Sequence, residues 1–138
     1  MILVAAAVMI EDGRVLLSQR KPGQHLAGAW EFPGGKVDED EDPRHALARE
    51  LSEELGIVAD VGEIVDVTYH RYPNKSVLLL FFEATRAPAS PEPRAVDVAA
   101  VRWSRAAELD DAEFPPADVA VLNKVRRMLA VGSDIADS

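Results

Sequence analysis

Trp30-Glu31-Phe32-Pro33-Gly34-Gly35-Lys36 is followed, after a short acidic stretch, by Arg49-Glu50-Leu51-Ser52-Glu53-Glu54-Leu55-Gly56-Ile57. The second half reads as a helix from about Pro43 to Leu55. Asp42 is a strong N-cap, Pro43 suits the first helical position and Gly56 is a natural stop. Ala46 to Leu51 between them are strong helix formers.

On that helix Glu50, Glu53 and Glu54 fall at i, i+3 and i+4, so they share one face. Leu47, Leu51 and Leu55 form a neighbouring stripe, which can dock the helix while its carboxylates look into a cleft. Like charges at this spacing repel slightly. A divalent cation offsets that repulsion, and magnesium takes a few carboxylates plus water and phosphate oxygens. A solvated acidic face is the plainer reading of the helix alone. The glycine pair upstream and the full spacing favour the cation.

From Gly35, five residues lead to Glu41, and seven more lead to Arg49-Glu50-Leu51 and on through Ile57. This pattern resembles the Nudix box at every fixed position. The preceding Trp30 to Lys36 resembles the MutT branch of that family. The box covers Gly35 to Ile57, and a looser likeness runs from Val4 to about Leu129. The resemblance implies an α/β fold, the Nudix α/β/α sandwich with a mixed sheet between helices.

At 138 residues the chain is expected to form one domain, 1–131, with a disordered polar tail, 132–138. Apolar residues make up 48%, which fits a folded protein, and no apolar run reaches the ~20 residues of a membrane span. There is no cysteine, so disulfides and thiolate chemistry are excluded, which fits a cytoplasmic protein. The net charge of −9 argues against a polymeric nucleic acid partner. It leaves room for a small nucleotide held by a cation and a few placed basic residues. The sequence says nothing of oligomeric state.

Along the chain, Ile2 to Ile10 reads as a strand, and Asp12-Gly13 as a hairpin turn into Val15 to Arg20. Lys21 to Ala29 reads as a loop and Trp30 to Phe32 as a short extended piece. Val58 to Tyr72 suggests one or two strands. The apolar stretch Ser76 to Ala84 suggests a strand buried on both faces. Proline-rich Ala87 to Ala95 is expected to be a mobile loop. Val98 to Trp103 reads as the last strand, Ala106 to Leu109 as a helical turn and Pro116 to Leu129 as a C-terminal helix.

The resemblance implies hydrolysis of a nucleoside triphosphate by water, with Mg2+ (or Mn2+) as cofactor. Such a substrate carries about four negative charges that must be screened for water to attack phosphorus. By position, Glu53 and Glu54 match metal ligands, and Glu50 matches a residue between metal binding and orienting the water. The carbonyl of Gly34 matches a backbone ligand, and Arg49 the partner that holds Glu50. Glu50, Glu53 and Arg49 are the expected catalytic group, with Glu41 in support. Asp97 is a candidate further ligand or base, or else a plain loop aspartate. Lys36 and Arg20 are candidate phosphate contacts; Arg20 is equally readable as a solubilising charge. His25, His45 and His70 are scattered and read as incidental.

For the base, Phe32 and Tyr72 could stack on it, or belong to the core. Asp118, in Phe114-Pro115-Pro116-Ala117-Asp118, stands where the MutT branch places an asparagine against 8-oxoguanine; it also reads as a helix N-cap. An ionised aspartate only accepts hydrogen bonds, whereas asparagine also donates. The implied function is pyrophosphohydrolysis of a nucleoside triphosphate, 8-oxo-dGTP first, to the monophosphate, as nucleotide-pool sanitation and DNA repair. Hydrolysis of CTP, dCTP or a 5-substituted dCTP is the alternative. A non-catalytic nucleotide-binding module is the remaining one.

Overall fold

Asp42 starts helix α1, Pro43–Leu55, in the computed structural model: its carboxylate accepts from the amides of Arg44 and His45. Gly56 closes the helix in the left-handed region at φ 69°. Leu47, Leu51 and Leu55 are fully buried, each contributing roughly 1.5–3 kcal/mol of apolar burial. They pack with Ala5, Ala7, Leu16, Phe82 and Ala84. The structure describes residues 1–131 in full, and only the helical course of the backbone for 132–137. Of the expected disordered tail, 132–138, the backbone of 132–137 continues α2 and residue 138 lies outside the described residues.

Among the described residues the strands divide into two four-stranded sheets. In the first, β1 (Ile2–Val8) and β7 (Lys75–Arg86) pair in parallel at the centre, with Ile2 opposite Val77. Its edges are β5 (Gly34–Lys36) and β6 (Ala59–Tyr72), each antiparallel to its neighbour. This is the expected mixed sheet. The second sheet gathers β2 (Ile10–Glu11), β4 (Trp30–Glu31) and β8 (Ala100–Ser104) around β3 (Arg14–Gln19). The strand expected from Ile2 to Ile10 is interrupted at Met9, so its two parts serve different sheets. Val58 to Tyr72 yields one long strand, with register shifts between Val61 and Asp66.

Alternation along the strands separates two cores. Leu80, Phe82 and Ala84 join the cluster under α1, while Leu79 and Phe81 join the other with Val15 and Leu17. That second cluster is covered by Val121, Leu122, Val125 and Leu129 of α2, Val119–Asp137. The continuous apolar run of β7 is thus explained by a core on each side. The C-terminal helix begins with a 3-10 turn, Pro116–Asp118, and two more such turns, Ala106–Glu108 and Asp111–Glu113, precede it.

Residues 87–95 form a loop that makes contacts with the rest of the fold. Arg86 pairs with Glu92 and donates to the carbonyl of Pro91, and Arg94 donates its amide to the carbonyl of Leu55. The free edge of β6 is partly covered as well. Asp66 accepts from the amide of Val67 at 2.8 Å, and Lys124 Nζ donates to the carbonyl of Val65 at 2.7 Å.

Candidate active site

The glycine pair is a steric requirement. Gly34 and Gly35 lie on β5, opposite Ala6 and Ala5. A Cβ on Gly34 would sit 2.0 Å from the carbonyl oxygen of Ala5, and one on Gly35 would sit 2.4 Å from the carboxyl carbon of Glu50. Only bare backbone lets the strand lie this close to its neighbour and to the carboxylate helix.

Arg49 organises that helix. Its guanidinium takes both oxygens of Glu41 at 2.9 Å, Glu50 at 3.0 Å and Glu53 at 3.3 Å. Glu41, which also accepts from the amide of Asp38, is held down to about 2 by that hydrogen-bonding. Arg49 thus pairs with Glu50 by one bond, but its stronger grip is on Glu41. Glu53 is 57% exposed on the Arg49 side and does not line the cleft. Glu50 and Glu54 do line it.

Glu54 has no basic partner among the described residues. Burial first, then the charges of Glu50, Glu31 and Asp97, push its carboxyl well above the usual range. A crowded carboxylate of this kind fits a cation. Among the described residues no three acidic or histidine groups converge on a closed cage. A magnesium-type ion fits all the same, since it keeps several waters and binds through one or two carboxylates plus substrate phosphate. Glu50 and Glu54 would hold it, with Gly34 and Asp97 also lining the cleft, whereas Glu53, expected as a ligand, is turned to Arg49. Asp97 is brought there by its backbone: its amide donates to the carbonyl of Glu54 at 3.0 Å.

The cleft has a volume of about 370 Å³, within the usual range for small-molecule sites. Gly34, Lys36, Arg20, Phe32, Tyr72, Asp97 and Asp118 all line it, so the structure brings these expected site residues together. Phe32 is nevertheless a core residue, buried against Phe81 and Phe114. Arg20 is not a free surface charge. Its Nη1 pairs with Glu31 at 2.9 Å and its Nε donates to the carbonyl of His25.

Asp118 is buried at 4% exposure, at the end of the 3-10 turn and directly before Val119, the first residue of α2. Burial and the nearby charge of Glu31 raise its carboxyl to about 8, against the opposing pull of Arg20. Tyr72 lies close enough to Asp118 and Glu31 for both to push its hydroxyl up, after burial.

Sequence reasoning missed Glu31, Lys75 and two of the histidines. Glu31 is a half-buried wall of the cleft, its carboxyl raised by desolvation despite Arg20. Its register opposite Ser18 on β3 is what turns it inward, and that register is not legible before the sheet is known. Lys75 lines the cleft with its Nζ 5.4 Å from the ring centre of Tyr72. His25 and His70, read as incidental, both stand edge-on to Tyr72, at 5.1 and 4.5 Å between centres.

The family model described as NUDIX domain matches residues 1–125. An 8-oxo-dGTP diphosphatase of Haemophilus influenzae is 36% identical over 123 residues, 89% of each chain. A CTP pyrophosphohydrolase of Escherichia coli is 58% identical over 65 residues, 47% of this chain and 48% of that protein. Among solved structures, the solution structure of the E. coli ORF135 protein aligns with a TM-score of 0.75 at 39% identity, over 89% of this chain and 86% of that one.

Proposed function

The chain belongs to the Nudix family, and on that footing we propose that this hydrolase converts a nucleoside triphosphate to the monophosphate and pyrophosphate, with 8-oxo-dGTP as its preferred substrate. The observation that carries the proposal is the cleft itself: Glu50, Glu54, half-buried Glu31 and buried Asp118 all line it, and the charge of Glu31 acts on both Glu54 and Asp118. Mg2+, or Mn2+ in its place, supplies charge screening of the phosphates and an activated water when bound. Glu50, held by Arg49, is positioned to orient that water. Lys36 and Lys75 are the basic residues of the cleft left to meet phosphate oxygens, since Arg20 is engaged by Glu31.

Asp118 supports the guanine-type base. With its carboxyl raised to about 8, it is largely neutral at pH 7 and both donates and accepts. A neutral Asp118 thus presents the donor and acceptor pair that asparagine would, and can meet O6 of 8-oxoguanine together with a ring N–H. Cytosine is the second reading. Glu31 and an ionised Asp118 are acceptors suited to its amine, and the E. coli CTP pyrophosphohydrolase is the relative with 58% identity over its aligned part. The completeness of the box from Gly35 to Ile57 disfavours a module that only binds.

No helix among the described residues is long and apolar enough to cross a membrane. A cytoplasmic pool-cleansing role, protective of DNA, follows from this reading of the substrate. Values of kcat/KM for 8-oxo-dGTP, dGTP, CTP, dCTP and 5-methyl-dCTP with Mg2+ test it, with products identified. A preference for 8-oxo-dGTP yielding the monophosphate and pyrophosphate is expected. A clear preference for a cytosine nucleotide would establish the second reading instead.

A further inference from the structure

We propose that Lys21 is a built-in stand-in for the divalent cation at Asp97, so that the cation enters the nucleotide-free cleft by displacing an ammonium group. The inference rests on the cation reading of the glutamate helix given above. Lys21 Nζ lies 2.5 Å from Oδ1 of Asp97, a residue that lines the cleft, and so joins the loop after β3 to the segment before β8.

The backbone dictates this meeting. The amide of Ala99 donates to the carbonyl of Gln19 at 2.9 Å, which extends the β3–β8 ladder and leaves Lys21 and Asp97 side by side just past its end. The amides of Val96 and Asp97 both donate to the carbonyl of Glu54 at 3.0 Å, which anchors Asp97 to the last turn of α1. Asp97 is therefore fixed between Lys21 and the carboxylate best suited to a cation. Lysine is a compact charge on a flexible stem, and the two partners are 40% and 61% exposed. Such a pair is weak enough to exchange.

Titration of the nucleotide-free protein with Mn2+, read by the electron paramagnetic resonance signal of the free ion, tests this. Lys21→Met is expected to tighten the dissociation constant about 2- to 5-fold, the range for an exposed pair. Asp97→Asn is expected to weaken binding, and in that background Lys21→Met is expected to change nothing. Circular dichroism confirms that each variant is folded. An unchanged or weakened constant in Lys21→Met overturns the inference. So does equal tightening in the Asp97→Asn background, which would reveal only the loss of a distant charge. If Glu53→Gln with Glu54→Gln also leaves Mn2+ binding untouched, the cation reading itself falls; if it weakens binding while Lys21→Met does nothing, only this inference falls.

Discussion

Arg49 holds Glu41 in a two-point fork, Nε to Oε2 and Nη2 to Oε1 both at 2.9 Å, and reaches Glu50 by a single bond of 3.0 Å. The arginine is thus braced on one side so that it can aim a carboxylate on the other. Glu41→Gln removes the charge of the brace without its shape. It is expected to lower kcat by about 10- to 100-fold, as losses of such supporting partners do, with little change in KM. Steady-state kinetics checks this.

The same contact has a pH signature. The Glu41 carboxyl is lowered to about 2 in the folded chain, so it contributes stability above its ordinary value near 4.5. That contribution is lost as the pH falls through 2. Acid unfolding followed by circular dichroism should show Glu41→Gln losing less stability than the parent between about pH 4.5 and 2.

Glu53→Gln combined with Glu54→Gln is expected to reduce kcat on the order of 10³-fold, since a cation supplies several kcal/mol to such a reaction. Glu54→Gln alone should raise stability near neutral pH, because it removes a carboxyl whose ionisation burial and Glu50 oppose. Thermal unfolding and kinetics of the same preparations separate the two effects.

Asp118 gives the opposite pH slope to Glu41. Its folded value of about 8 lies above the unfolded value near 3.9, so its stabilising contribution is complete below about pH 4 and is lost as the pH rises through 8. Asp118→Asn should therefore gain in Tm over the parent as the pH goes from 5 to 8. The parent's kcat/KM for 8-oxo-dGTP should fall above pH 8 while that of the variant does not. Substrate ratios that stay alike in parent and variant above pH 8, where Asp118 ionises, would remove Asp118 from base recognition.

The two glycines should fail differently. Gly34→Ala meets the backbone of Ala5 and Ala6, which cannot yield without opening the β1–β5 pairing. A loss of about 2 kcal/mol or more is expected, readable by urea unfolding. Gly35→Ala meets only the end of the Glu50 side chain, which can move. Its stability should change little, while its kcat falls as Glu50 leaves its place.

Local chemistry explains which parts were legible in the sequence. The cap at Asp42, the stop at Gly56 and the leucine stripe act within a few residues, so α1 appears at the bounds its sequence implies. The placement of Glu50 and Glu54 toward the cleft could be read for the same reason, but that of Glu53 could not, because Arg49 draws it to the exposed side. Glu31 and Lys75 could not, because their inward placement depends on strand register and on a hairpin tip, both set by distant partners. Met9 belonged to an unbroken apolar run, and only the division into two sheets shows why the strand stops there. The state of Asp118 depends on burial by chain far from it in sequence.

β1 lies alongside β7 in parallel, Ile2 against Val77, so the central pairing closes a loop spanning more than half of the chain. Such long-range closure loses its entropy before it gains its contacts, and slows folding to milliseconds or longer. A nascent chain that has emerged only through α1 already carries Glu50, Glu53 and Glu54, but not β7, the strand that completes the central pairing. Catalytic competence then arrives late in synthesis and all at once, when β7 and the residues around Asp118 have left the ribosome.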